Sequence, residues 1–327
     1  MPDLVWWLAF LGFVFVLLGL DLGVFHRRAH EVSVREALTW SAIWISLALA
    51  FNAGIYAGWI GGYAPELRER AAFEFFTGYI VEKSLSVDNV FVFALIFGYF
   101  HIPGKYQHRI LFWGIIGALL MRAILIFAGI ALIQRFHPII YFFGAIVIFS
   151  GIKMWSSGTP KVDPEHNPVL KLVRRLFPLT EQLDGQKFFV RRESGLAMTP
   201  LFAVLVFIEW SDVVFAVDSI PAILAISQDP FVVFTSNVMA MLGLRSLYFA
   251  LAGILDRFHL LHYGLSALLV FIGLKMVLSD LIKIPVPVSL LVIGLILVIS
   301  VVASMLFPKR NQPVDAVPSA RENELTR

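Results

Sequence analysis

The segment Glu82-Lys83-Ser84-Leu85-Ser86-Val87-Asp88-Asn89-Val90-Phe91 sets two carboxylates, an ammonium, a carboxamide and two hydroxyls inside an otherwise apolar stretch. A second such stretch carries Glu209, Ser211, Asp212, Asp218 and Ser219. On a helix, Ser84 and Asp88 are four residues apart and Glu209 and Asp212 three, so each pair shares a face. Asp212 and Ser219, seven apart, share one as well, while Asp218 points away from Glu209. Pro221 cannot donate to the carbonyl of Val217, which predicts a kink and a freed acceptor beside Asp218. Ligands of this kind are oxygen ligands, and oxygen suits Mn2+, Mg2+ or Ca2+ better than Cu+ or a structural zinc. The chain has no cysteine, so thiolate ligation, disulfides and dithiol exchange are excluded.

The candidate cation ligands are Glu82, Asp88, Asn89, Glu209, Asp212 and Asp218; Lys83, Ser84, Ser86, Arg122, Ser211, Ser219 and Arg245 are supporting or charge-pairing groups. Five interior acids stand against the three interior bases Lys83, Arg122 and Arg245, a formal subtotal of minus two. A divalent cation would offset that charge. Protonation would too, since burial favours the neutral carboxyl, so proton coupling to cation movement is an open alternative. Arg122 and Arg245 occupy matching places and are expected to pair with interior acids, while Lys83 either bridges a carboxylate or is displaced by the ion. His101, His137, His259 and His262 fall near helix ends and read as interfacial. No catalytic constellation and no site for a resident cofactor are read, so an enzyme is not expected.

What has to hold these groups is a membrane. With 59% hydrophobic residues, 15% charged residues and a mean hydropathy of +0.82, the chain has too few polar residues to cover a water-facing surface. Apolar runs of spanning length lie at 4–24, 38–60, 73–100, 108–134, 138–155, 197–226, 231–255, 262–281 and 286–307, which predicts an all-α polytopic protein of about nine helices. Residues 4–24 follow Asp3 rather than a basic stretch and read as a retained span, not a cleaved leader. Each ionised group at a bilayer centre costs about 2.5–3.5 kcal/mol on insertion scales, so the acids must face protein, water or an ion. The third and sixth spans are long, at 28 and 30 residues, which predicts tilt or a break at their polar segments.

Landmarks recur along the chain. Asp88-Asn89-Val90-Phe91, Arg122, Arg135-Phe136-His137 and Gly151-Ile152-Lys153-Met154 are matched by Asp212-Val213-Val214-Phe215, Arg245, Arg257-Phe258-His259 and Gly273-Leu274-Lys275-Met276, at offsets of 124, 123, 122 and 122. Two three-helix repeats, 73–155 and 197–281, follow from this register. Three crossings per repeat make the second enter from the opposite side, the inverted arrangement of many secondary transporters. A duplicated structural or signalling protein is the alternative. Residues 1–72 would add two framing helices, 156–196 a cytoplasmic linker with a short amphipathic piece at 169–177, 282–307 a final span and 308–327 a disordered cytoplasmic tail. Arg27, Arg28, Arg35, Lys105, Arg109, the linker, Arg257 and Lys309-Arg310 share one side against Arg68, Arg70, Arg135 and Lys283 on the other. That bias puts the N-terminus outside and the C-terminus in the cytoplasm. The basic residues build no aromatic-studded patch, so nucleic acid is not an expected partner; a divalent cation and membrane lipid are.

The segment from Glu82 to Phe91 and the segment Glu209-Trp210-Ser211-Asp212-Val213-Val214-Phe215-Ala216-Val217-Asp218-Ser219-Ile220-Pro221 resemble the signatures of the TerC family of bacterial inner-membrane proteins, including its Alx branch. The resemblance runs from Leu4 through Lys309. It implies association with tellurium resistance, with alkaline or metal stress and, for some members, with manganese export, and it carries the family's acidic positions onto Glu82, Asp88, Glu209, Asp212 and Asp218. The expectation is then Mn2+ export by alternating access, with Mn2+ as substrate, through an oxygen-rich site between two broken helices. The resemblance also implies two alternatives, a membrane redox modulator and a scaffold in a tellurite or metal stress response.

Overall fold

The computed structural model describes residues 2–20, 33–136, 138–157, 171–173, 175, 178–180, 183–192, 195–251, 260–282 and 284–307. Long apolar runs without turn residues become helices: α1 (Leu4–Leu20), α2 (Val34–Ala57), α3 (Pro65–Tyr99), α4 (Gly104–Arg135), α5 (Ile139–Ser157), α6 (Pro200–Leu224), α7 (Pro230–Leu242), α8 (Leu244–Leu251), α9 (Leu261–Val277) and α10 (Val286–Leu306). Local chemistry sets their ends. The Ser33 hydroxyl accepts from the Glu36 amide at 3.2 Å to start α2, and Gly58, at φ 80°, ends it in a left-handed turn. Pro65, Pro200 and Pro230 open α3, α6 and α7, where an amide hydrogen would have no partner within the helix.

Exposure runs opposite to that of a water-soluble protein. Leu120, Phe149 and Ile299 are each more than half exposed, while Glu82 and Asp212 are 0% and 2% exposed. Lipid as the solvent accounts for this inversion, because it takes up apolar side chains and expels charge to the interior. By length and composition α2, α4, α5, α6 and α10 can each cross a bilayer, and α7 with α8 makes a further crossing bent by 40°. The helices α1 and α9 are apolar but shorter, and α3 is long enough but carries the charged segment. The protein is an all-α, multi-pass integral membrane protein.

Three expectations change. Both α3 and α6 continue through their polar segments, and Pro221 lies within α6, one turn before its end, without interrupting it. The break falls instead in the seventh apolar run, between α7 and α8 at Gly243. The sixth span begins at Pro200 rather than at 197, because Gly195–Met198 (β2) pairs antiparallel with Phe189–Arg192 (β1) in a hairpin. Backbone bonds tie this hairpin down, with the Met198 amide donating to Pro178 O at 2.9 Å. Much of the 156–196 linker, the tail from 308 and the Arg257-Phe258-His259 landmark lie outside the described residues.

Packing pairs elements across the chain. α3 lies on α7, α4 on α6, and α5 on α9; exchanging the two halves of the chain interchanges the first two pairings and leaves the third unchanged. The α5–α9 pair runs antiparallel, since Gly144 faces Gly273 and Val277 while Gly151 faces Ser266 and Val270. Here the lack of a side chain is what permits the approach. A methyl at Gly273 would come within 2.8 Å of the Gly144 carbonyl oxygen.

Candidate cation site

Glu82 and Asn89 are seven residues apart on α3, and Asp212 and Ser219 seven apart on α6, so two helical turns aim each pair to one side. α4 supplies Arg122 between them and α7 supplies Asn237. All six side chains are buried. The guanidinium grips Asp212 with two bonds, Nε to Oδ2 at 3.3 Å and Nη2 to Oδ1 at 3.2 Å. Its Nη1 donates to Glu82 Oε1, to Asn237 Oδ1 at 2.9 Å and to Ser219 Oγ at 3.4 Å. Asn89 Nδ2 donates to Asp212 Oδ1 at 3.3 Å. With both acids ionised, Glu82, Arg122 and Asp212 together carry one negative charge. Removing one partner from such a buried set costs about 3–5 kcal/mol, so these residues are bound to one another electrostatically as well as by shape. Glu82 Oε2 and, one turn on, Ser86 Oγ have no hydrogen-bond partner among the described residues. A small enclosed cavity bounded by Phe93, Ala118, Ile208, Met241 and Arg245 reaches Asp212.

The other residues singled out in the sequence separate from this network in definite ways. Asp88 lies in α3, and its side chain is outside the described residues. Ser84 and Ser211 donate to their own helices, to Ile80 O at 2.7 Å and Phe207 O at 2.8 Å, the usual use of a hydroxyl within a helix. Glu209, one turn before Asp212, rests against α4 at Gly117, where any side chain would collide with its carboxylate. Asp218 is six residues past Asp212, which turns it away, and it accepts from Ser150 of α5 at 2.6 Å. Lys83 Nζ donates to Ala240 O at 3.2 Å, at the C-terminal end of α7 where carbonyls lack helical partners. Arg245 is buried two residues after Gly243. Among the described residues no three acidic or histidine side chains converge.

Sequence reasoning missed Asn237, whose only signal is an amide amid an apolar run. It also missed a polar tie at the start of α3 and α7. Ser227 Oγ donates to Glu74 Oε2 at 2.5 Å and Arg70 Nε to Glu74 Oε1 at 2.7 Å. Tyr63 OH donates to Asp229 Oδ2 at 3.1 Å, and Asp229 Oδ1 caps α7 by accepting from the Phe231 amide at 2.9 Å. Tyr63 lies between α2 and α3, outside the spans; burial, and then the facing Asp229 carboxylate, push its phenol well above the usual range.

Residues 67–312 match the description "Integral membrane protein TerC family". The chain is 50% identical over 310 residues to "Uncharacterized membrane protein STKORF319" of Myxococcus xanthus, covering 95% of each chain. It is 44% identical over 295 residues to "Putative membrane-bound redox modulator Alx" of Escherichia coli (strain K12), covering 90% of this chain and 92% of that one. An "Uncharacterized membrane protein" of Rickettsia bellii is 41% identical over 300 residues, covering 92% and 97%. No solved structure matches.

Proposed function

This chain belongs to the TerC family of integral membrane proteins, and we propose that it is a secondary transporter that exports a divalent cation, foremost Mn2+, across the bacterial inner membrane by alternating access. One observation carries the reading: buried oxygen donors from α3, α6 and α7 meet in the membrane interior around two carboxylates, Glu82 and Asp212. Hard cations are bound by such donors, and buried acids in a membrane interior mark ion paths more often than stable cores. The pairings that interchange between the halves support reading 73–155 and 197–281 as inverted repeats that rock about the site. The Lys/Arg bias sets the proposed direction, with the C-terminus cytoplasmic. In this reading Asp88, Asn89, Glu209 and Asp218 join or line the ion's path, and protons are the candidate coupling ion.

The test is purified protein in vesicles with a Mn2+-sensitive dye inside. Movement of Mn2+ above protein-free vesicles is expected. Its absence with correctly inserted, monodisperse protein would overturn the reading. The name of the Escherichia coli relative favours a second reading, redox modulation, which in a chain without cysteine needs a bound redox group. An absorbing group copurifying in fixed proportion with the chain would favour it.

A further inference from the structure

The Arg122 guanidinium faces five oxygen atoms: Glu82 Oε1, Asp212 Oδ1 and Oδ2, Asn237 Oδ1 and Ser219 Oγ. They come from three helices and two halves of the chain, and all converge on one point. Guanidinium takes hydrogen-bond acceptors only, and the same carboxylate, amide and hydroxyl oxygens are the ligands a hard divalent cation takes.

We propose that Arg122 is a tethered substitute for the transported cation, filling this oxygen set in the empty carrier and leaving it when the cation binds. The proposal rests on the transport reading and adds how the empty protein returns. Charge is the first support. Glu82 and Asp212 carry minus two, which one guanidinium reduces to minus one and one divalent cation cancels; an empty carrier without either would close around two uncompensated carboxylates. Glu82 Oε2 is the second, independent support. It is fully buried on the same carboxyl and has no partner among the described residues, an acceptor that the guanidinium leaves over and that a cation taking about six oxygens would use.

A cation-loaded carrier does not need the substitute, whereas an empty one does. Arg122 should therefore matter more for net efflux than for exchange. Vesicles containing wild type, Arg122→Gln or Arg122→Lys are loaded with radioactive Mn2+ and diluted into buffer without Mn2+, which reads net efflux, or with Mn2+, which reads exchange. Arg122→Gln is expected to lower net efflux about 100-fold, as loss of a buried counter-charge implies, with a much smaller fall in exchange. Detergent-purified Arg122→Gln should also bind Mn2+ about ten-fold more tightly, its internal competitor being gone. Arg122→Lys, which keeps the charge but loses the two-pronged grip, should recover part of the net efflux. Where Arg122→Gln does not give monodisperse protein, the ratio of exchange to net efflux in Arg122→Lys decides, and it must rise. Equal falls in both modes, or Mn2+ binding that weakens in a folded variant, would show a structural ion pair and overturn the proposal. Wild type that moves Mn2+ in neither mode would remove the transport reading itself.

Discussion

α4 and the α7–α8 pair hold equivalent places in the two halves, with Arg122 matching Arg245, yet α4 runs unbroken for 32 residues and its counterpart bends by 40° after 13. The register that aligns the arginines puts Leu120 opposite Gly243. A side chain at Gly243 would meet Lys83 Nζ at 2.8 Å and Trp44 Cβ at 3.1 Å, so glycine admits α2 and the lysine to the break. The continuous helix carries the base that gathers acids from both halves, Glu82 from one and Asp212 from the other. Symmetry in the path of the chain thus coexists with a one-sided site. The two bases match in register, while the helices that carry them differ in continuity.

Arg122→Ala strikes this comparison hardest. It should destabilise the fold by about 3–5 kcal/mol, read as lower folded yield and earlier loss of monodispersity on heating; parent-like stability would mean that Glu82 and Asp212 tolerate each other unaided. Asp212→Asn should lower Mn2+ affinity and flux about 100-fold with a smaller loss of folded protein, because it removes charge and keeps shape. Asp218→Asn, whose carboxylate is held by Ser150 outside the network, should lower both far less, and equal losses would restore Asp218 to the central site. Gly273→Ala should cost about 1–3 kcal/mol through overpacking against α5, read in the same heating assay, with Mn2+ affinity unchanged in the protein that survives. The smallest effect belongs to Tyr63→Phe, about 1 kcal/mol for one hydrogen bond. Since the folded phenol titrates above a free one, its contribution is fully present below about pH 10 and is lost as pH rises through the folded value. Stability curves of Tyr63→Phe and parent should run parallel up to that point and converge beyond it. Convergence already at neutral pH would mean that the Asp229 contact does not govern this loop.

The apolar runs made the helices legible, because a spanning helix needs a length of greasy sequence and little else. The pairing of Arg122 with interior acids was legible too, since a buried base must find a counter-charge. Its partners were not. Which face of α6 meets which face of α3 depends on packing across 130 residues between Glu82 and Asp212, and Asn237 gives no local sign that it will complete the set. The break was misplaced for a physical reason: Pro221 removes only one bond, near the end of α6, whereas Gly243 removes no bond by itself but lets two neighbours crowd the backbone. The hairpin after residue 188 escaped because Leu196, Ala197 and Met198 continue the apolar run of the following helix without interruption.

The glycine seam between α5 and α9 has a mechanical consequence. Backbone meets backbone at two stations, Gly144 with Gly273 and Gly151 with Ser266, about 10 Å apart along α5 at the rise of a regular helix. Sliding one helix past the other would drive Val270, Met276 and Val277 over the opposite backbone, while turning about the line through the two stations displaces little. The seam therefore acts as a fulcrum: it resists shear, permits tilt, and converts a small angular change there into a larger displacement at the far helices of each half.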